Sequence, residues 1–415
     1  MTHQDVETGP RPADQAATTG ERRRPVDLIR VRDPFRRAQL AIAALFCFLG
    51  FQYGTWASRL PTLKARLDLS EADLGLLLMA CGAGAAVSFP LVTVLMRRLG
   101  SRRLASLSAL CLGLLLLALA VVPDYPVAVA IVGCDGIAVG CLNVAMNAQG
   151  AALEATYGRT AMARLHATFS AGSLGAALLA SGVNTLTGSL AAHFGAAAVI
   201  LLLLVGYAQT GLLTKDQQPA EKEKKSRSRR RPAMPARMTL WMGCAMAFGT
   251  VTEGAMNDWS ALYMKDVLKA AASVAPLGIA VVSVMMVLAR IFADGWRTRW
   301  GDGRIVLTGS VLAGTGLALA LLAGGVVPAL IGFACVGPGV AAVTPCVYVA
   351  AARQGSEALA LVAAMGTVGL LAGPAVIGFI ANAGGLVWGM GAVAAAALLV
   401  SVCATRIRWV PVAEN

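Results

Sequence analysis

Residues 165–214 read LHATFSAGSLGAALLASGVNTLTGSLAAHFGAAAVILLLLVGYAQTGLLT, without one Asp, Glu, Lys or Arg. A helix needs about 20 apolar residues to cross ~30 Å of hydrocarbon, so this stretch is long enough to cross twice. Thr187-Gly188 and Phe194-Gly195 punctuate it where a hairpin must turn. Residues 305–352 and 358–405 repeat the pattern, with breaks at Gly324-Gly325 plus Pro328 and at residues 382–385, Asn-Ala-Gly-Gly. Single spans are read at 38–58, 74–96, 104–122, 127–154, 239–264 and 272–294. The expectation is an all-α membrane protein with twelve transmembrane helices.

The whole chain fits that class. Its 415 residues are 57% hydrophobic and 14% charged, with a mean hydropathy of +0.69, too apolar for an ordinary soluble protein. The polar, Arg-rich start has no short apolar core followed by a small-residue cleavage site, so the first span is read as its own insertion signal. A net charge of +13 could suit nucleic acid, but the Lys and Arg sit in tails and loops between spans, and topology accounts for them without such a partner. The nine cysteines all fall in apolar segments without a Cys-x-x-Cys pair, which reads as packing and not as a metal site. No Gly-rich phosphate loop is present, no cofactor is implied, and nothing suggests an enzyme.

Basic residues cluster before the first span, after the second, fourth, sixth, eighth and tenth, and after the last. The other side receives only Arg59, Lys64, Arg66, Lys265 and Lys269, so both termini are expected to be cytoplasmic. The expected organisation is a disordered tail at 1–36, a six-helix bundle at 37–214, a basic linker at 215–238, a second bundle at 239–406 and a tail at 407–415. Trp56 and Trp259 share their spacing with Leu74-Gly75 and Leu277-Gly278, a weak sign that the halves are repeats.

Within the spans, polar side chains are expensive. An acidic residue at a helix centre costs roughly 2.5–3.5 kcal/mol on insertion scales and usually faces a cavity or pathway. Glu253 lies mid-span, with Asn257 one turn away on the same face. Burial disfavours its charged form, which makes it the first candidate for a coupling proton; the competing reading is a structural carboxylate bonded to a neighbouring helix. Asp258 is read as a structural group near the helix end, pairing with Lys265 or Arg59. Asp135, Asn143, Asn147 and Gly150 form one stripe on the fourth span, with Asp135 the rival proton site in the outer half. His166 could relay protons or simply pack. Arg290 and Asp294, four residues apart, suit an ion pair serving as a gate or interface latch. Candidate substrate contacts are Asn143, Asn147, Asn257, Tyr53, Trp56 and His166.

Twelve helices in two halves around a basic central connection resemble the major facilitator superfamily. Residues 56–61 (Trp-Ala-Ser-Arg-Leu-Pro), 143–150 (Asn-Val-Ala-Met-Asn-Ala-Gln-Gly), 165–170 (Leu-His-Ala-Thr-Phe-Ser) and the Glu253 stretch look like its bacterial fucose-permease-like branch. The family's loop of the form Gly-x-x-x-Asp-Arg-x-Gly-x-Arg-Arg stands here with Thr93 at its first position and Arg97 in place of its acidic residue. Relatives of that branch often carry Asp where this chain has Asn143, so no titratable role passes to that position. The resemblance implies a monomeric secondary active transporter in the inner membrane, moving a small polar organic solute by alternating access with proton coupling. The alternative is a proton-antiporting exporter of a drug-like or secondary-metabolite compound, whose site would be mostly aromatic and apolar. The charge distribution predicts that a cysteine placed at residues 215–238 reacts from the cytoplasmic side. Labelling by an impermeant reagent applied outside intact cells would overturn that orientation.

Overall fold

The computed structural model describes residues 33–214 and 237–409, where all regular secondary structure is helical. Residues 1–32, 215–236 and 410–415, which hold nearly all of the expected tails and basic linker, lie outside the described residues. The first half comprises α1 (Pro34–Ala57), α2 (Leu60–Arg66), α3 (Glu71–Ala120), α4 (Tyr125–Tyr157), α5 (Met162–Leu186) and α6 (Leu190–Gln209). In the second half α7 (Arg237–Leu262) runs into a π-helical turn at Tyr263–Val267 and is followed by α8 (Leu277–Trp300) and α9 (Asp302–Ala323). The chain then forms α10 (Val326–Ala341), α11 (Val343–Arg353), α12 (Ser356–Gly384) and α13 (Leu386–Arg406).

Helix starts follow from local chemistry. The Asp33 carboxylate accepts from the Phe35 N–H at 3.0 Å just ahead of α1, with Pro34 in the first turn where no N–H is needed. Ser70 and Asp73 form a reciprocal capping box at α3, and Asp124 caps α4 through the Val127 N–H at 3.0 Å. The Arg-rich loop expected between the second and third spans is compressed to one residue, Gly100, whose φ of 73° interrupts α3 without ending it. Glycine reaches that left-handed region without the Cβ penalty of other residues.

Among the described residues, nine helices are long and apolar enough to cross a membrane, and 50-residue α3 is one of them with length for two crossings. The expected count of twelve also requires α7, which carries Glu253 and Asp258, and α8, which carries Arg290, to span. In the first half α1 packs on α4, α5 and α6, and α3 on α4 and α6; in the second, α7 packs on α12 and α13, and α9 on α10 and α13.

The halves meet chiefly through α3 against α12 and α5 against α8. Each half gathers its own chain ends at one end of the bundle: Arg37 donates to the Thr210 carbonyl at 2.5 Å, and Arg237 shares a cavity with Arg406. At the distal end Lys64 binds Glu71 at 3.0 Å and Asp266 of the other half at 2.9 Å. There too Asn184 Nδ2 donates to the Ala272 carbonyl at 2.7 Å, and Ser181 Oγ to the Ser273 carbonyl at 2.5 Å. Burial works to lower the Lys64 ammonium, but its hydrogen bonds to Asp266 and Glu71 outweigh this and hold it above its ordinary 10.5. A raised ammonium contributes its full stabilisation below that value and loses it only as pH climbs past the folded one, so this link is constant across the physiological range.

Close approach seals the same end. A Cβ on Gly378 of α12 would stand 2.6 Å from the Glu71 carbonyl oxygen, and one on Gly75 2.9 Å from that of Pro374. Gly378→Val therefore overpacks the distal closure, by about 1–3 kcal/mol. We expect it to expose Ala177, fully buried in a cluster with Ala57, Ala261, Ile279 and Ala280 from both halves. An Ala177→Cys reporter should label faster in the Gly378→Val background, and an unchanged rate would mean the closure yields without opening.

Candidate functional site

Arg290 of α8 is the centre of the polar interior. Its Nη2 donates to Glu253 Oε1 of α7 at 3.1 Å, and its Nη1 donates to Ser170 Oγ of α5, in the other half, at 2.6 Å. The pair is partly wet: the Arg290 and Glu253 side chains are 23% and 26% exposed. His166, one turn before Ser170, lies within electrostatic reach of both, and its ring meets Phe46 edge-on with centroids 5.0 Å apart. Asn257 does not touch the Glu253 carboxylate; its Nδ2 donates to the Glu253 backbone carbonyl at 3.0 Å.

Two further carboxylates are drier. Asp258, 3% exposed, accepts a hydrogen bond from Tyr53 Oη of α1, a second polar link between the halves. Asp135, 6% exposed, accepts from Gln52 Nε2 at 2.8 Å, while its other oxygen has no partner among the described residues. Adjacent residues of α1 thus hold one acid in each half. Beside Asp135 lies a cavity of about 10 Å³ whose wall includes Gln52 and Trp56. Trp56 stacks edge-on to Tyr53 at 6.0 Å, and its indole N–H is likewise unpartnered among the described residues. On α4, Asn147 Nδ2 donates to the Asn143 side-chain oxygen at 2.9 Å, and Asn143 is exposed.

The sequence matches the Major Facilitator Superfamily over residues 7–153 and 42–356. This chain belongs to that superfamily. It is 33% identical over 380 residues to an MFS-type transporter of Yersinia pestis, covering 89% of this chain and 95% of the relative. It is 28% identical over 382 residues to the membrane protein MosC of Rhizobium meliloti, covering 90% and 91%. The fold is also that of the nucleoside transporter NupG (TM-score 0.71, 15% identity, 90% of this chain and 98% of that one). A D-xylose-proton symporter resembles it with TM-score 0.66 at 16% identity over 88% of this chain and 96% of the other. The protein is therefore an all-α, multi-pass superfamily transporter and not an enzyme.

Several expectations change on this superfamily frame. Arg290 was matched with Asp294 by helical spacing, yet its guanidinium engages Glu253 and Ser170; the Asp294 side chain lies outside the described residues. Asp258 pairs with neither Lys265 nor Arg59. Lys265 is exposed, and Arg59 is buried with its Nε on His193 Nδ1 at 3.0 Å and its Nη1 on Asn184. His193, near the start of α6, is buried in that network. Asp135, placed in the outer half by the sequence, is drier than Glu253 because Gln52, Trp56 and apolar side chains of α3 and α4 close over it. Gln52 was missed altogether, although a glutamine inside an uncharged span is the signal that could have found it. Ser170 was visible only as part of a string.

The geometry makes the ion pair separable by mutation. Arg290→Glu alone should destabilise the protein by an amount at the low end of the roughly 3–5 kcal/mol typical of breaking a buried pair, since this one is partly exposed. Adding Glu253→Arg should restore part of the thermal unfolding midpoint, whereas Ser170→Ala should cost less than either single charge change. Absence of any recovery in the double variant would assign Arg290 to a different acid.

Proposed function

We propose that this transporter moves a small polar organic solute through the cytoplasmic membrane by alternating access, with both termini inside, and that Glu253 carries the coupling proton. The observation that supports this reading is the Arg290 guanidinium, bonded at once to a titratable acid of its own half and to Ser170 of the opposite half. Ionised Glu253 holds Arg290 by charge. Proton loading removes that charge and changes the balance of a contact that joins the halves. The sign suits a secondary transporter, because one proton alters both the electrostatics of the site and the link between its walls.

The solute would be recognised by Arg290 with His166 beside it, together with Asn143, Asn147, Asn257, Tyr53 and Trp56. This set is rich in donors and acceptors, which suits hydroxyl, amide or carboxylate groups better than a drug-like apolar body. The superfamily fold alone would not choose between them. Two of the structural neighbours are a nucleoside transporter and a D-xylose-proton symporter, and both act on small polar solutes.

A thermal-shift screen against sugars, organic acids and drug-like compounds comes first, followed by uptake into proteoliposomes with an imposed pH gradient. Glu253→Gln, which keeps shape and hydrogen bonding but removes titration, should abolish accumulation against a gradient while leaving binding and exchange. Asp135→Asn should weaken affinity more than coupling. If the Gln variant still concentrates solute in a pH-dependent way and the Asn variant does not, the two acids exchange roles. Normal accumulation by both would remove proton coupling at either acid.

A further inference from the structure

Away from the central site, the start of α7 and the end of α13 enclose a cavity of about 320 Å³ lined by Arg237, Met238, Trp241, Arg406 and Arg408. Among the described residues three arginines and no carboxylate line it, and none of the three arginines has a hydrogen-bond or ion-pair partner there. Like charges gathered this way repel one another unless an anion sits between them.

The cavity is built into the fold rather than left by a loose tail. Past the end of α13 the chain is pinned: Ile407 is buried, and Trp409 Nε1 donates to the Ala404 carbonyl at 2.8 Å. The Trp409 ring also packs on Gly303 of α9 so tightly that a Cβ there would lie 2.4 Å from it. Arg406 and Arg408 are thereby fixed on either side of an anchored residue. Arg237 and Trp241, both on α7, complete the lining.

We infer that this cavity is a binding site for a phosphate group. Planar guanidinium forks match phosphate oxygens in pairs, and three of them supply more donors than a carboxylate could use. Trp241 and Met238 add an apolar wall beside the charges. A tryptophan next to arginines at the end of membrane helices is the arrangement that suits the headgroup of an anionic phospholipid, with the glycerol region against the indole. A free phosphate or soluble phosphate ester offers the same oxygens without the apolar part.

The test uses the purified full-length chain in phosphatidylcholine nanodiscs, with and without phosphatidylglycerol, and separately with inorganic phosphate in the buffer. Phosphatidylglycerol should raise the thermal midpoint by about 2 °C or more, and native mass spectrometry should retain bound lipid. Both effects should disappear in an Arg406→Gln/Arg408→Gln variant whose midpoint in pure phosphatidylcholine serves as its own reference. A shift produced by inorganic phosphate and lost in the same variant would keep the phosphate site but assign it to a soluble ligand. Equal responses of the variant and the parent chain, or no response to either probe, would overturn the site. Should that variant fail to fold, Arg237→Gln is read in the same two assays with the same outcomes.

Discussion

A guanidinium among apolar helices has to find acceptors, because Arg cannot shed its charge and five N–H donors left bare in a dry interior are prohibitive. Arg290 finds them in two directions, the Glu253 carboxylate on α7 and the Ser170 hydroxyl on α5. Much of the central arrangement follows from that demand. It brings a carboxylate of the second half towards the interface, and it ties α8 to α5 along one of the two seams where the halves meet. A lysine in the same place could hold the charge but would lack the planar fork that reaches both partners.

The first helix solves a related problem. Gln52 and Tyr53 are neighbours in sequence, and successive helical positions point about 100° apart, so one side chain turns inward to Asp135 of α4 and the other across to Asp258 of α7. Among the described residues neither acid is paired with a cation; each accepts from a neutral donor on α1, and Asp135 keeps one oxygen unpartnered. Displacement of α1 relative to α7 would break the Tyr53 bond and leave Asp258 without it, whereas the Gln52 bond lies within one half. Two dry acids with similar burial are thus coupled differently to any relative motion of the halves.

The fold was largely legible because membrane helices must be long, apolar and internally hydrogen-bonded, and those demands write themselves into composition. Runs without charge located the hairpins, and Gly324 and Gly385 stand at the breaks with positive φ. The site was legible as a set of costly residues, Glu253, Asp135, Arg290 and His166, but not as a set of partners. Helical spacing suggested Asp294 for Arg290 because it sees only one helix at a time; the contacts described for Arg290 come from α7 and α5, far away in sequence. Arg59 shows the same limit from the other side, since it counts as a loop charge in the sequence and is buried against His193. The matched pairs fared better: Trp56 and Trp259 are both buried with unpartnered indole N–H groups among the described residues, as equivalent positions of a repeat would be.

The two seals of the distal end differ in what they require of a moving protein. Backbone-to-backbone approach at Gly75 and Gly378 is held by dispersion and geometry, which fade within a fraction of an ångström of separation and recover as readily. The Lys64 bridge to Asp266 is charged and partly exposed, so water can replace each partner as it parts, and opening there has a modest cost. The Arg290 contact with Ser170 differs in its acceptor: the guanidinium is partly wet, but the hydroxyl it reaches is buried, so on separation water meets the arginine before it meets the serine. Under the alternating access proposed above, a solute that supplies acceptors to that guanidinium replaces the Ser170 contact as the halves part, and its differential interaction with the two arrangements is what shifts the balance between them.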